Sequence, residues 1–249
     1  MSLSNSFKQK ILVEKEKISN SKTNAVVRSW FDKIDIKKNR SGLLKNKTFL
    51  VKDNIAIKNE SLTCASNILK SYVSPFNATV IDKLESEGGV ITGQTNCDEF
   101  AMGSSSEYSI YGPVKNPHNL NLVAGGSSGG SAAAIVENLA DVALGSDTGG
   151  SVRQPAAFCG IYGLKPTYGR ISRYGLVAHA SSFDTIGIMS KKIGDIHRTF
   201  SIISGADKKD ATTVDLKVKE YKSIKNSSLP SSVGVINCLL YTSDAADEP

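Results

Sequence analysis

The sequence predicts an α/β layered fold, and three observations carry that expectation. Short apolar runs of strand length, such as Thr48–Lys52, alternate with longer stretches whose apolar residues recur at helical spacing. Glycine pairs and Gly/Ser-rich turns punctuate the alternation. The 249 residues are 40% hydrophobic and 22% charged, which is the balance of a folded chain rather than a disordered one. That length lies between one and two ordinary domains and buries a sizeable core.

Taken in order, residues 6–32 read as helical, with Phe7, Ile11, Val13, Val26, Trp30 and Phe31 on broken apolar faces. Thr48–Lys52 reads as a buried strand running into Asp53-Asn54. Asn77 is the expected N-cap of a helix carrying Val80, Ile81 and Leu84, which Gly88-Gly89 ends before a strand begins at Val90. From Phe100 to Gly187 glycine and serine thicken while charge thins. A helix over 130–139 leads into a strand over 141–145, and a sharp turn follows over 146–151, with Pro155 in the first turn of a further helix. Ser190 is expected to cap a helix with Ile193, Ile196, Phe200 and Ile203, closed by Gly205. Residues 206–231 read as loop and 233–236 as a strand. The tail 239–249 changes character, with Asp244, Asp247 and Glu248 and no closing apolar element, so it is expected to be a foreign end and the domain to span 1–238.

Composition narrows the function classes. Cysteines at 64, 97, 159 and 238 form no C-x-x-C pair, which argues against a zinc ribbon or redox dithiol and fits a reducing compartment. The net charge of +6 comes from lysines without interleaved aromatic residues, the pattern of a solvated surface rather than a nucleic-acid groove. The longest charge-free stretch, Asn116–Val136, is rich in Gly, Ser and Asn, so no membrane span is expected. The N-terminus lacks a secretory apolar stretch, and Glu14 and Glu16 are unlike a transit peptide, so a cytoplasmic location is expected.

Three segments could carry chemistry. Gly125–Ser131 offers backbone N–H groups but lacks the lysine of a P-loop, while Gly125-x-Ser127-x-Gly129 matches the short nucleophile-elbow pattern. Asp147–Ser151 is a turn after a strand, where amides could converge on an oxyanion. Lys52 ends an apolar strand; such a lysine ordinarily points to water, but buried and neutral it can act as a base. His118, His179 and His197 show no metal-ligand spacing, and no metal site is expected. An α/β-hydrolase with Ser127 as nucleophile and His179 or His197 as base remains an alternative at this level.

Together, Val51-Lys-Asp-Asn54, Gly125–Ser131 and Gly145-Ser-Asp-Thr-Gly-Gly-Ser-Val-Arg-Gln-Pro155 resemble the amidase signature family. The resemblance implies a mixed sheet covered by helices on both faces, here incomplete because the chain stops at roughly half the family's length. It implies Ser151 as nucleophile, Ser127 as bridging serine after a cis peptide bond, and Lys52 as base. Backbone amides of Thr148, Gly149, Gly150 and Ser151 would hold the oxyanion. Asp147 and Arg153 are read as structural supports of that loop. Ala124 departs from the proline the family usually carries there.

Thr95–Ser105 and Gly163–Gly175 are similar, within that family, to the branch working inside tRNA-dependent amidotransferases. That implies glutamine as substrate and two partners, the B and C subunits of such a complex. Ammonia would pass to the larger partner (B), which uses ATP and Mg on glutamyl-tRNA(Gln), while the small one (C) braces the assembly. This chain would itself need no cofactor, and would meet tRNA mainly through its partner. Another carboxamide hydrolase of the same family is the other implied reading. A chain of half the length would lack side chains that hold the substrate and be inactive alone.

Overall fold

The computed structural model of the chain describes residues 3–36, 38 and 40–216. Its elements run α1 (Leu3–Asn20), β1 (Val26–Ser29), β2 (Thr48–Lys52), α2 (Thr79–Ser86), β3 (Val90–Thr95), β4 (Lys115–Asn116), β5 (Asn119–Val123), α3 (Gly129–Val136), β6 (Val142–Asp147), α4 (Arg153–Phe158), β7 (Tyr162–Leu164), β8 (Thr185–Ser190) and α5 (Ile193–Ile203). Six strands form one mixed sheet in the order β1-β3-β2-β6-β8-β7. The central β3, β2 and β6 are parallel, while β1, β8 and β7 join antiparallel. A separate hairpin pairs β4 with β5.

The two-residue period of the strands sorts the core into two layers. Phe49, Val51, Val142, Leu144, Ile186 and Ile188 face α2 and α5, meeting Val80, Ile81, Leu84, Ile196 and Ile203. Leu50, Ala143 and Met189 face the other way, against Ala132–Ile135 of α3 and Val152 before α4. This is the expected mixed sheet with helices on both faces. Among the described residues, no helix is long and apolar enough to cross a membrane.

Several local expectations are corrected. The single helix over 6–32 is α1 followed by a strand: the chain turns at Ser21–Asn24, where Asn24 takes φ +56° and its side chain donates to Tyr111 O and Gly112 O. Val26 and Arg28 then pair with Thr95 and Gln94, so a partner 66 or more residues away decides the conformation of a β-branched run. Asn77 does not cap α2; its Oδ1 accepts from Lys58 N at 2.7 Å and its amide donates to Asp82, leaving Ala78 as the capping position. Ser190 ends β8 and is no helix cap: its hydroxyl donates to Asp141 O and accepts from Lys192 N. α3 is shorter than the expected 130–139 helix, and β6 runs on through Ser146 and Asp147. The expected strand over 233–236 and the tail over 239–249 lie outside the described residues.

α1 lies across the end of the sheet with Phe7 and Ile11 against Phe31 and Val90. It also buries Glu14, whose Oε1 accepts from Thr48 Oγ1 at 2.8 Å while Oε2 has no partner. Burial raises this carboxyl from 4.5 to about 7, with Asp141 adding to the rise and Lys10, Lys17 and the Thr48 hydrogen bond opposing it. An acid whose folded pKa is raised binds its proton more tightly when folded, so its contribution to stability falls as pH climbs from about 4.5 to about 7. Glu14→Gln should therefore match the wild type in chemical denaturation at pH 4.5. It should gain on it progressively toward pH 8, by at most about 3 kcal/mol. A difference in stability independent of pH would show that Glu14 is not titrating in this window.

Candidate active site

Lys52 is the last residue of central β2 and shares the face of Leu50, beneath the start of α3. It is 0% exposed. Its Nζ lies 2.7 Å from Ser127 Oγ and 2.9 Å from Ser146 Oγ, which comes from the neighbouring parallel strand β6. Asn54 Nδ2 donates to the same Ser146 oxygen at 3.0 Å and to Val177 O at 3.2 Å. Burial pushes the Lys52 ammonium below its ordinary pKa, and the carboxylates of Asp98, Asp184 and Asp147 oppose the shift without reversing it. Cys97, itself pushed up to about 12 chiefly by burial, is a neutral thiol at pH 7 and offers the amine no counter-charge. The solvent-facing lysine that a strand end suggests is thus replaced by an enclosed amine whose partners are hydroxyls.

Ser127 is aimed at that amine by its loop. The Gly126–Ser127 peptide bond is cis, and the Ser127 carbonyl accepts from Asp98 N at 3.2 Å and Ser106 Oγ at 3.3 Å. Asp98 in turn accepts from Ser106 N and Tyr108 N. A Cβ on Gly126 would sit 2.3 Å from Asp98 Oδ2 and 2.8 Å from the amides of Ser105 and Ser106, so only glycine fits there. Ser128 N donates to Ser151 O at 3.1 Å, and Ser128 Oγ donates to Ser146 O at 3.2 Å, tying the loop to the turn after β6.

That turn is organised by Asp147. Its carboxylate accepts from Gly150 N at 2.8 Å, Val152 N at 3.0 Å and Arg153 N at 3.2 Å, and from Arg153 Nε and Nη2 at 3.1 and 2.9 Å. Burial alone would raise the Asp147 pKa; the Arg153 and backbone hydrogen bonds outweigh it and hold the carboxyl below its usual range. Asp147 and Arg153 are therefore supports of the loop, as read from the sequence. One oxyanion expectation changes: the Gly150 amide is taken by Asp147. The amides of Thr148, Gly149 and Ser151 have no acceptor among the described residues.

Ser151 is half-buried, and its hydroxyl has no hydrogen-bond partner among the described residues, Ser127 included. It borders a cavity of about 400 Å³, together with Ser104, Gly126, Thr148, Gly149, Gln154 and His179. Asp184, buried and outside the cavity lining, accepts from Thr148 Oγ1 and from His179 N. The structure thus joins Lys52 to Ser127 directly and sets Ser151 next to them on a neighbouring loop. The histidine-base alternative finds no such contact. His179 is at the exposed cavity rim, His118 Nε2 is with Cys159 O, and His197 is on α5. Residues that sequence reasoning missed are Ser146, Asn54, Asp98, Gln154 and Asp184. For Ser146 a signal existed: a hydroxyl within the otherwise apolar run that begins at Val142.

Comparisons with known proteins identify the family of the chain. Residues 9–247 match the amidase family. The chain is 57% identical over 185 residues to the A subunit of glutamyl-tRNA(Gln) amidotransferase from Chlorobium chlorochromatii, covering 74% of this chain and 39% of that protein. It is 52% identical over 184 residues to the corresponding protein of Sulfolobus acidocaldarius, again 74% of this chain and 39% of the relative. The crystal structure of the Thermotoga maritima counterpart superposes with a TM-score of 0.78 at 45% identity, over 85% of this chain and 47% of that one. Native peptide amidase from Stenotrophomonas maltophilia gives a TM-score of 0.78 at 30% identity, over 87% of this chain and 48% of its own. The chain thus spans less than half the length of these relatives. A match along nearly the whole sequence, and a fold shared with solved members, place the chain in the amidase family.

Proposed function

We propose that this chain carries the catalytic half of a glutamine-hydrolysing amidase that supplies ammonia to a tRNA-dependent amidotransferase. The observation that carries the reading is the 2.7 Å contact between buried Lys52 Nζ and Ser127 Oγ beside the Ser151 turn. A neutral amine has a lone pair and two N–H bonds. One N–H is donated to Ser146, which orients the lone pair toward the Ser127 hydroxyl proton. As Lys52 takes that proton, Ser127 takes the proton of Ser151, and Ser151 Oγ bonds to the carboxamide carbon. The carbonyl oxygen becomes an oxyanion facing the amides of Thr148, Gly149 and Ser151, the type of donor set whose members are each worth about 10²–10³-fold in rate. The C–N bond then breaks, the proton returns from Lys52 through Ser127 to the nitrogen, and ammonia leaves. Water, deprotonated along the same path, resolves the ester and frees the acid.

The choice of glutamine and of the tRNA-linked pathway rests on likeness, not on the fold alone. Peptide amidase shares the fold equally well at 30% identity, whereas the amidotransferase relatives reach 52% and 57%. In this reading ammonia passes to the B subunit, which uses ATP and Mg on glutamyl-tRNA(Gln), and the C subunit completes a heterotrimer in the cytoplasm. The 1–238 segment is then part of one catalytic domain.

In the full-length polypeptide assembled with its partners, Ser151→Ala should cut glutamine-dependent transfer at least about 10⁴-fold while ammonia-dependent transfer persists. Lys52→Ala should do the same, and His197→Ala should leave both unchanged. Glutamine-dependent turnover surviving in Ser151→Ala would remove the nucleophile assignment.

Lys52 must be neutral to act, so glutaminase activity should rise with pH along a single acid limb. Because Ser146 accepts a hydrogen bond from the amine, and such bonds favour the charged form, its removal lowers the Lys52 pKa further. Ser146→Ala should therefore shift the acid limb to lower pH while reducing kcat about tenfold through lost orientation. A pH–rate profile of the variant that coincides with the wild type would show that Ser146 does not act on the base.

A further inference from the structure

We infer that Gln154 is a specificity-determining residue whose side-chain NH2 donates to an oxygen acceptor in the acyl part of the carboxamide substrate. The inference rests on the amidase reading above and names what that site selects. Gln154 is in the first turn of α4, three residues beyond Ser151, with its backbone N donating to Gly150 O at 2.7 Å. It borders the same cavity as Ser151, and it is half-buried.

The orientation of its amide is fixed by chemistry. Gly126 N donates to Gln154 Oε1 at 2.9 Å. A backbone N–H can only donate, so the oxygen must face Gly126 and the NH2 must point away from it. That NH2 has no hydrogen-bond partner among the described residues. No lysine, arginine, aspartate or glutamate borders the cavity among the described residues; Arg153 next door is spent on Asp147. The substrate carbonyl oxygen is already provided for by the amides of the 148–151 turn. When the leaving group is ammonia, every other oxygen of the substrate belongs to the acyl part. The free NH2 of Gln154 therefore suits a second oxygen, a carboxylate or carbonyl a few bonds from the scissile carbon. Such a site favours an amino-acid or dicarboxylic monoamide over a plain aliphatic amide.

Gln154→Glu separates this role from simple support of the loop. A glutamate carboxylate still accepts from Gly126 N but replaces the donor with an acceptor. In the full-length enzyme, KM for glutamine should rise at least about tenfold with kcat little changed, the scale of a lost hydrogen bond to a charged group. Hydrolysis of butyramide, which lacks a second oxygen, should stay within about threefold of wild type by the same reasoning. A second readout needs no turnover: in a Ser151→Ala background, glutamine should raise the melting temperature, and adding Gln154→Glu should abolish that rise. Equal losses on both amides, or no change on either, or a retained glutamine-induced shift, would overturn the proposal and leave Gln154 as a support for Gly126. Failure of the amidase reading is distinguishable, because Ser151→Ala would then leave hydrolysis of both amides intact.

Discussion

The enclosed amine of Lys52 is the constraint around which the rest of this structure is organised. An ammonium moved out of water without a counter-ion is among the costliest burials a fold can make, and such groups give up their charge instead. Lys52 forms no ion pair among the described residues; its contacts are two hydroxyls. The dry environment favours the neutral amine, the form able to take a proton, and the two hydroxyls supply no counter-charge to offset it. The requirement is met by position: β2 is flanked on both edges by parallel strands and covered on both faces by helices, so the end of that strand stays dry although it lies next to an open cavity.

The loops around the amine cannot be held by a sheet ladder, and three buried aspartates hold them instead. Asp147 gathers the amides of Gly150, Val152 and Arg153. Asp98 gathers those of Ser106 and Tyr108 while its own backbone N holds the Ser127 carbonyl. Asp184 joins the Thr148 hydroxyl to the His179 amide. A carboxylate can accept several hydrogen bonds at once, so one residue fixes a segment that would otherwise leave several amides unsatisfied. At Asp147 those bonds, with the charge of Arg153, more than offset the cost of burial, and the pKa falls. At Asp98 burial wins and the pKa rises.

How much of this is legible in the sequence depends on whether the deciding partner is local. Thr48–Lys52 reads as a buried strand and is one, because five consecutive buried positions leave a continuous signature. The α/β alternation and the two-sided core follow from the same local periods. Residues 26–29 mislead because their β-strand conformation is set by β3, far along the chain. Asn77 and Ser190 mislead because their capping side chains are taken by Lys58 N and Asp141 O, 19 and 49 residues away. The burial of Lys52 lies beyond local reading altogether, since it depends on Ser127 and Ser146, 75 and 94 residues away. Only the joint occurrence of three separated motifs, read as a family resemblance, points there. That resemblance carries Lys52, Ser127 and Ser151 but not Ser146, Gln154 or Asp184, whose places emerge from contacts.

The glycines explain why these motifs must occur together. On the face of the sheet carrying Lys52, a Cβ at Gly145 would lie 2.7 Å from Ser128 Oγ, and one at Gly187 would lie 2.8 Å from Val152 Cγ2. Side chains there would lift the Ser127 loop and the Ser151 turn off the strands. With hydrogen so exposed on the sheet, α3 and the segment leading to α4 settle directly onto β6 and β8, and the two serine-bearing loops meet through the Ser128 N–Ser151 O bond. The reach of the lysine from β2 matches that approach and would not bridge a thicker layer. Bare strand positions, a glycine at 126 that nothing else could replace, and an amine of fixed length are therefore one geometric condition expressed at three places in the chain.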